Sequence, residues 1–255
     1  MKKYRAILFD LFGTVALFRQ ERLPVFEWDG RSSRSTMGKL RAVVEQHVPA
    51  IPFPQFFAAH TAVSRELGEA RTREMREFSS AYRFSLILTR VGLDDSPLTH
   101  EIARTLSLSH MQLLADATDI PSAHRGLLAD TRQRYRVALV SNFDHAATAR
   151  RILERDGAAG CFEHIVISEE HGWRKPHPRI FTDTLAALGV EPREALFVGD
   201  SPHDDIRGAS WVGMDVAWVN ARSEPLPEEF PAPQYVVRAI PDLRQALALC
   251  SDMTY

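Results

Sequence analysis

Five short runs of apolar, mostly β-branched or aromatic residues punctuate the chain: YRAILF (4–9), RVALVS (136–141), HIVIS (164–168), ALFVG (195–199) and DVAWV (215–219). Each ends in polar or turn residues, and none alternates as a strand with one wet face would. The pattern therefore predicts strands buried on both faces, as in a parallel sheet. A sixth run, QYVV (234–237), precedes a predicted terminal helix from Asp242, with Leu243, Ala246, Leu247 and Leu249 on its inner side. Between the later runs lie segments of helical length. One, 145–157, stops at Gly157; another, 178–190, opens on Pro178 and stops at Gly189. This alternation predicts an α/β fold built on a doubly wound parallel sheet, in which ligands bind beyond the carboxyl ends of the strands. Asp10, Ser141 and Asp200 fall at those ends.

The interval between the first two runs has helical periodicity and no convincing strand. Segments 53–78 and 81–93 are amphipathic, and Ser96-Pro97 followed by Leu98, Ile102 and Leu106 marks a further helix start. GRSSRSTMG (30–38) reads as a flexible loop. The expected organisation is a Rossmann-like catalytic core from 1–17 and 118–255, with 18–117 inserted as an α-helical cap domain.

With 255 residues, folding buries about 70–75% of the unfolded surface, enough for a dry, shaped site. The 31 Lys and Arg against 33 Asp and Glu leave a formal charge of −2, which argues against nucleic acid as a partner. The apolar run Ala6–Phe9 is too short for a secretory or membrane segment, so no membrane association and a cytoplasmic location are expected. Cys161 and Cys250 form no metal-type or redox-type pair and read as reduced, structural residues. The spacing of His171, His177 and His203 matches no zinc pattern.

Four separated pieces carry chemistry in combination: Asp10 in FDLFGTV, Ser141-Asn142 in LVSNFD, Lys175 in GWRKPHPRIF, and Asp200 with Asp204 and Asp205 in FVGDSPHDDIRGA. A carboxylate can attack a phosphoryl centre only if the repulsion between two anions is cancelled, which calls for a metal cation and a fixed ammonium. Lys175 supplies the ammonium. Mg²⁺ takes oxygen ligands in an octahedron, a need met by Asp10, the carbonyl of Phe12, Asp200 and one further acid.

In this order and on these strand ends, the pieces resemble the haloacid dehalogenase superfamily of hydrolases, in the branch with a helical cap inserted after the first motif. The resemblance spans residues 4–17 and about 120–220, and it implies a HAD-like core. It further implies that Asp10 is the nucleophile, that Lys175 bridges nucleophile and phosphoryl group, and that Ser141 and Asn142 donate to phosphoryl oxygens. Either Asp204 or Asp205 fills the last acidic position, and the DIRGA context favours Asp205. Asp144 reads as the cap of the following helix, Trp173 and Arg174 as flanks of the site mouth or plain surface, and Arg19 and Arg22 as candidates to meet a substrate anion.

Phe12 departs from the pattern of most phosphatases in this superfamily, which carry a second aspartate there as general acid and base. Such a group is commonly worth about 10²–10⁴ in rate. Haloacid dehalogenases do carry an aromatic there, because halide leaves without a proton. Against a dehalogenase stands the acidic fourth motif, whose carboxylates would repel one another without a cation. The expected function is a Mg²⁺-dependent phosphatase acting on a small phosphorylated substrate through an aspartyl-phosphate. A 2-haloacid dehalogenase-like hydrolase and a low-activity binding or scaffolding protein are the alternatives, and the expected state is a monomer or homodimer.

Overall fold

The computed structural model describes residues 4–247. In chain order its elements are β1 (Ala6–Phe9), β2 (Leu17–Phe18), β3 (Val25–Trp28), β4 (Arg31–Arg34), α1 (Met37–His47), α2 (Phe53–Glu74), α3 (Ser80–Arg90), α4 (Pro97–Asp116), β5 (Thr118–Asp119), α5 (Ser122–Arg132), β6 (Arg136–Ser141), α6 (Ala146–Arg155), β7 (His164–Ile167), α7 (Ser168–His171), α8 (Pro178–Leu188), β8 (Ala195–Gly199), α9 (Gly208–Trp211), β9 (Asp215–Val219), β10 (Tyr235–Val237) and α10 (Leu243–Ala246).

The apolar runs form one parallel sheet in the order β10-β9-β8-β1-β6-β7, with β1 between β8 and β6. Successive side chains of β1 point to opposite faces. Ile7 and Phe9 pack with Leu127 and Leu128 of α5 and Ile152 and Leu153 of α6, while Ala6 and Leu8 pack with Ile180, Phe181 and Leu185 of α8. Both faces are thus dry, which explains why the strands read as continuous apolar runs. Helix α8 begins with Pro178 at a position that needs no amide hydrogen, and ends at Gly189 with φ +59°. Among the described residues, no helix is long and apolar enough to cross a membrane.

Residues 26–106 build a third apolar cluster of their own, with Phe26 from β3, Leu40 and Val44 from α1, Phe56 and Val63 from α2, Phe84 and Leu88 from α3, and Leu106 from α4. The helices start where capping residues stand: Ser79 Oγ accepts the Tyr82 amide at 3.2 Å and Ser96 Oγ the Thr99 amide at 3.2 Å.

Two sequence expectations need correction. The interval after β1 is not purely helical, because β3 and β4 form an antiparallel hairpin and Arg31–Arg34 lies inside the stretch read as a loop. The hairpin turns on Asp29 (φ +48°) and Gly30 (φ +69°), the Asp-Gly pair favoured in two-residue turns, but RSSR is exposed along its length and shows no hydrophobic alternation. Among the described residues the terminal helix spans the single turn Leu243–Ala246, with Leu243 and Leu247 buried; Leu249 and Cys250 lie outside the described residues.

Two histidines are built into the apolar interior of the 26–106 cluster. Their rings lie 6.1 Å (His60) and 6.0 Å (His110) from that of Phe84, and His110 Nδ1 shares a 2.8 Å hydrogen bond with Thr36 Oγ1. Burial, reinforced by the Arg83 guanidinium, pushes His60 down to about 4 and His110 down to about 3. Below about pH 6.5 the unfolded chain takes up protons at these rings while the folded chain does not, so their linkage removes stability as pH falls towards 4. A His60→Gln/His110→Gln double variant is therefore expected to lose less unfolding free energy between pH 7 and pH 5 than the native chain, measured by urea denaturation.

Candidate active site

Asp10 directly follows β1 and is fixed there by its amide, which donates to the carbonyl of Val198 at 2.9 Å. Its side chain meets Lys175 from a loop over 160 residues away, with Lys175 Nζ donating to Asp10 Oδ1 at 2.6 Å. The same ammonium lies 2.7 Å from Asp205 Oδ1, and both partners are almost wholly buried. Asp205 Oδ2 accepts the Ser201 amide at 2.9 Å. Asp200, the last of the trio, is exposed on one side, and its carbonyl accepts Trp218 Nε1–H at 3.0 Å. Oxygens of Asp10, Asp200 and Asp205 come within 4.8 Å of one another, the one group of three or more potential metal ligands among the described residues. Asp204 does not join them; it accepts from Asn142 at 3.0 Å and pairs with His203 at 2.8 Å.

Small residues make this convergence possible. A Cβ on Gly199 would collide with the Asp205 carboxylate, and one on Gly13, whose φ of +81° already disfavours a side chain, would collide with that of Asp200. Three carboxylates then share a partly dry pocket with one ammonium. Burial pushes Asp10 up to about 8, with Asp205 and Asp200 adding and Lys175 opposing. Burial and Asp205 push Asp200 up to about 6, and burial raises Asp205. Burial disfavours the Lys175 ammonium too, but Asp10 and Asp205 outweigh it and hold its pKa above the usual lysine value. The trio is a hard, oxygen-only donor set with an uncompensated negative charge, suited to a divalent cation.

The other sequence-predicted residues lie close by in different roles. Asn142 clamps the Lys175 backbone: its Oδ1 accepts the Lys175 amide at 2.7 Å and its Nδ2 donates to the Lys175 carbonyl at 2.9 Å. With Nδ2 also given to Asp204, both amide hydrogens are engaged, so Asn142 positions Lys175 here. Ser141 Oγ is buried with no hydrogen-bond partner, as is Thr14 Oγ1, which carries no signal in the sequence. Phe12 packs its ring 4.7 Å from that of Phe143 and presents hydrocarbon to the cavity. That cavity, about 180 Å³, is lined by Asp10, Phe12, Lys175 and the acidic cluster, and a crevice of about 350 Å³ adjoins it under α2. A separate cavity of about 630 Å³ lies at the opposite ends of β1 and β6, around Tyr4, Arg5 and Arg136, away from all of these groups.

Two expectations change. Asp144 does not cap α6, whose first turn is capped by His145 Nδ1; it pairs instead with Arg71 at 3.3 Å and Arg83 at 3.5 Å from the inserted segment. Arg19 and Arg22 are tied to Asp119, at 3.0 and 2.9 Å, and line neither cavity. Glu77, unremarked in the sequence, is buried where the inserted segment meets the core, accepting from Arg71 Nε at 2.7 Å and Ser168 Oγ at 2.7 Å. His171 pairs with Asp183 and His177 stacks on Trp173, so neither reaches the acidic trio.

Comparison with known proteins places this arrangement. The glyceraldehyde 3-phosphate phosphatase of Pyrococcus furiosus is 30% identical over 177 residues, covering 68% of this chain and 72% of the relative. The phosphoserine phosphatase of Thermus thermophilus is 34% identical over 155 residues, 61% of this chain and 58% of the relative. Other archaeal relatives are likewise matched over about 60% of their own length. In fold, the chain resembles a 2-haloacid dehalogenase from Pseudomonas syringae (TM-score 0.75, 21% identity, 96% of this chain and 98% of the other). It also resembles a HAD phosphatase from Thermococcus onnurineus (TM-score 0.55, 23% identity, 95% and 97%). The family model for haloacid dehalogenase-like hydrolases matches residues 4–213, from the strand before Asp10 to beyond the acidic cluster, and the chain belongs to that family.

Proposed function

We propose that this hydrolase is a Mg²⁺-dependent phosphatase of small phosphomonoesters, with residues 1–17 and 118–255 as the catalytic unit and 18–117 as a cap over it. The observation that carries the reading is the trio of carboxylates converging within 4.8 Å around one ammonium. Buried like charges at this spacing are costly unless neutralised. The donor set fits the ion: Asp10, Asp200, Asp205 and the Phe12 carbonyl would hold Mg²⁺, and Gly13 and Gly199 keep the space that a Cβ would fill. When bound, Mg²⁺ supplies the positive charge that lets a carboxylate approach a phosphoryl group. The curated relatives named as phosphatases of small phosphorylated molecules support the same reading.

Asp10 forms the new oxygen–phosphorus bond as the ester oxygen departs, leaving an aspartyl-phosphate that water then cleaves. Lys175, held in place by Asn142, orients the Asp10 carboxylate and offers its ammonium to an oxygen of the phosphoryl group. Ser141 offers its unpartnered hydroxyl to a phosphoryl oxygen. The cap excludes bulk water and so strengthens each of these contacts. Phe12 offers no proton, so a poor leaving group departs slowly. That ring also favours the second reading, displacement of halide from a 2-haloacid by Asp10, which needs neither proton nor metal.

One assay separates the readings. Phosphate release from 4-nitrophenyl phosphate is expected, abolished by EDTA and reduced to background in Asp10→Asn. Metal-independent halide release from a 2-haloacid would establish the second reading, and neither product would leave a binding protein. Aryl and acyl phosphates are expected to turn over faster than alkyl phosphates, and Phe12→Asp to raise the alkyl rate by about 10²-fold or more; equal rates across leaving groups would contradict this. Gly199→Ala, whose methyl meets the Asp205 carboxylate, is expected to lower kcat at least about tenfold, since a displacement of 1 Å in a reacting group can cost ~10².

A further inference from the structure

Where the inserted segment meets the core, three guanidiniums, Arg71, Arg83 and Arg174, face two carboxylates, Glu77 and Asp144. Arg71 binds both acids and Arg83 binds Asp144, at distances up to 3.5 Å. Glu77 is already supplied by Arg71, the Phe78 amide at 3.0 Å and Ser168 Oγ. Arg174 reaches it only through Nη1 at 3.4 Å, the longest of the Glu77 contacts. Arg174 is therefore the surplus cation of the network. It is also, with Lys175 and Asp204, one of three residues lining both the catalytic cavity and the adjoining crevice.

Its backbone is held on both sides. The Arg174 amide donates to the Met75 carbonyl at 3.0 Å, and Asn142 clamps the next residue, Lys175. The backbone from which the guanidinium extends is thus anchored beside Lys175, where the catalytic cavity meets the crevice. The crevice is polar: Gly68, Arg71, Thr72 and His203 line it, with Met75 and Pro176 the main hydrocarbon. A guanidinium presents a planar fork suited to a carboxylate. One surplus positive charge matches one negative charge, and Asp204 in the same wall opposes a dianion.

We propose that Arg174 is a specificity-determining residue, reading a carboxylate on the leaving group, so that the substrate is a phosphomonoester of a small carboxylic acid. The inference rests on the phosphatase reading and narrows it. Arg174 need only exchange its long contact to Glu77 for the substrate carboxylate, and Glu77 keeps three donors when it does.

The test compares 3-carboxyphenyl phosphate with 3-carbamoylphenyl phosphate, close in size and in leaving-group acidity, by phosphate release with Mg²⁺. The native enzyme is expected to favour the carboxylate in kcat/KM by about ten- to hundredfold, the size of one charge-assisted contact. The difference should fall mainly on KM. Arg174→Gln should bring the ratio towards one and Arg174→Lys to an intermediate value, with thermal unfolding confirming that both variants fold. A native ratio near one, or a preference that survives Arg174→Gln, overturns the inference and leaves the phosphatase reading standing. Phosphate release from neither ester overturns both.

Discussion

The Lys175 ammonium, wedged between Asp10 and Asp205, is the contact around which the carboxyl end of the sheet is arranged. Removing three charged groups from water costs several kcal/mol each, and the attraction between them returns that cost only when the geometry is close and the remaining lone pairs are satisfied. The chain meets these conditions with backbone hydrogen bonds, the Val198 carbonyl fixing Asp10, the Ser201 amide fixing Asp205 and the Asn142 amide fixing Lys175 from both sides. Asp200 then adds a third carboxylate that Lys175 alone cannot neutralise. The excess negative charge explains why burial and mutual repulsion raise the carboxyl pKa values, and it is the physical reason for assigning the site a divalent ion.

A second polar seam joins the inserted segment to this centre. Glu77 and the half-buried Asp144, one from each side, sit among Arg71, Arg83 and Arg174, and backbone bonds from Glu77 to Gly172 and from Ser80 to Asp144 run beside them. Arg76 lies flat on Trp173, its guanidinium 3.6 Å from the ring centroid. These contacts reach the residues immediately before Lys175, so the segment that lines the adjoining crevice and the loop that carries the ammonium are held to each other. Phe12, packed against Phe143, lines the cavity with hydrocarbon.

Much of this is legible in the linear chain because it obeys local rules. The strands of the sheet announce themselves as apolar runs, and a parallel sheet gathers the residues at the carboxyl ends of its strands along one edge, so Asp10, Ser141 and Asp200 have to be neighbours. The choice between Asp204 and Asp205 needs the structure, since the π-helical turn Pro202–Arg207 decides which carboxylate turns inward. Asp144 misleads because its position before a helix satisfies the capping rule, whereas two distant arginines take its side chain. The β3–β4 hairpin escapes a reading by pattern because its second strand is wholly polar; only Asp29-Gly30 marks it. Glu77 and the clamp role of Asn142 carry no local signal at all, being defined by partners far along the chain.

Calorimetric titration of Mg²⁺ into the metal-free protein tests most directly whether the buried charge excess is there to hold a cation. Binding of one ion per chain, lost in Asp200→Asn, is the predicted result. The account would be contradicted by an absence of binding at millimolar Mg²⁺, or by binding that the variant retains unchanged.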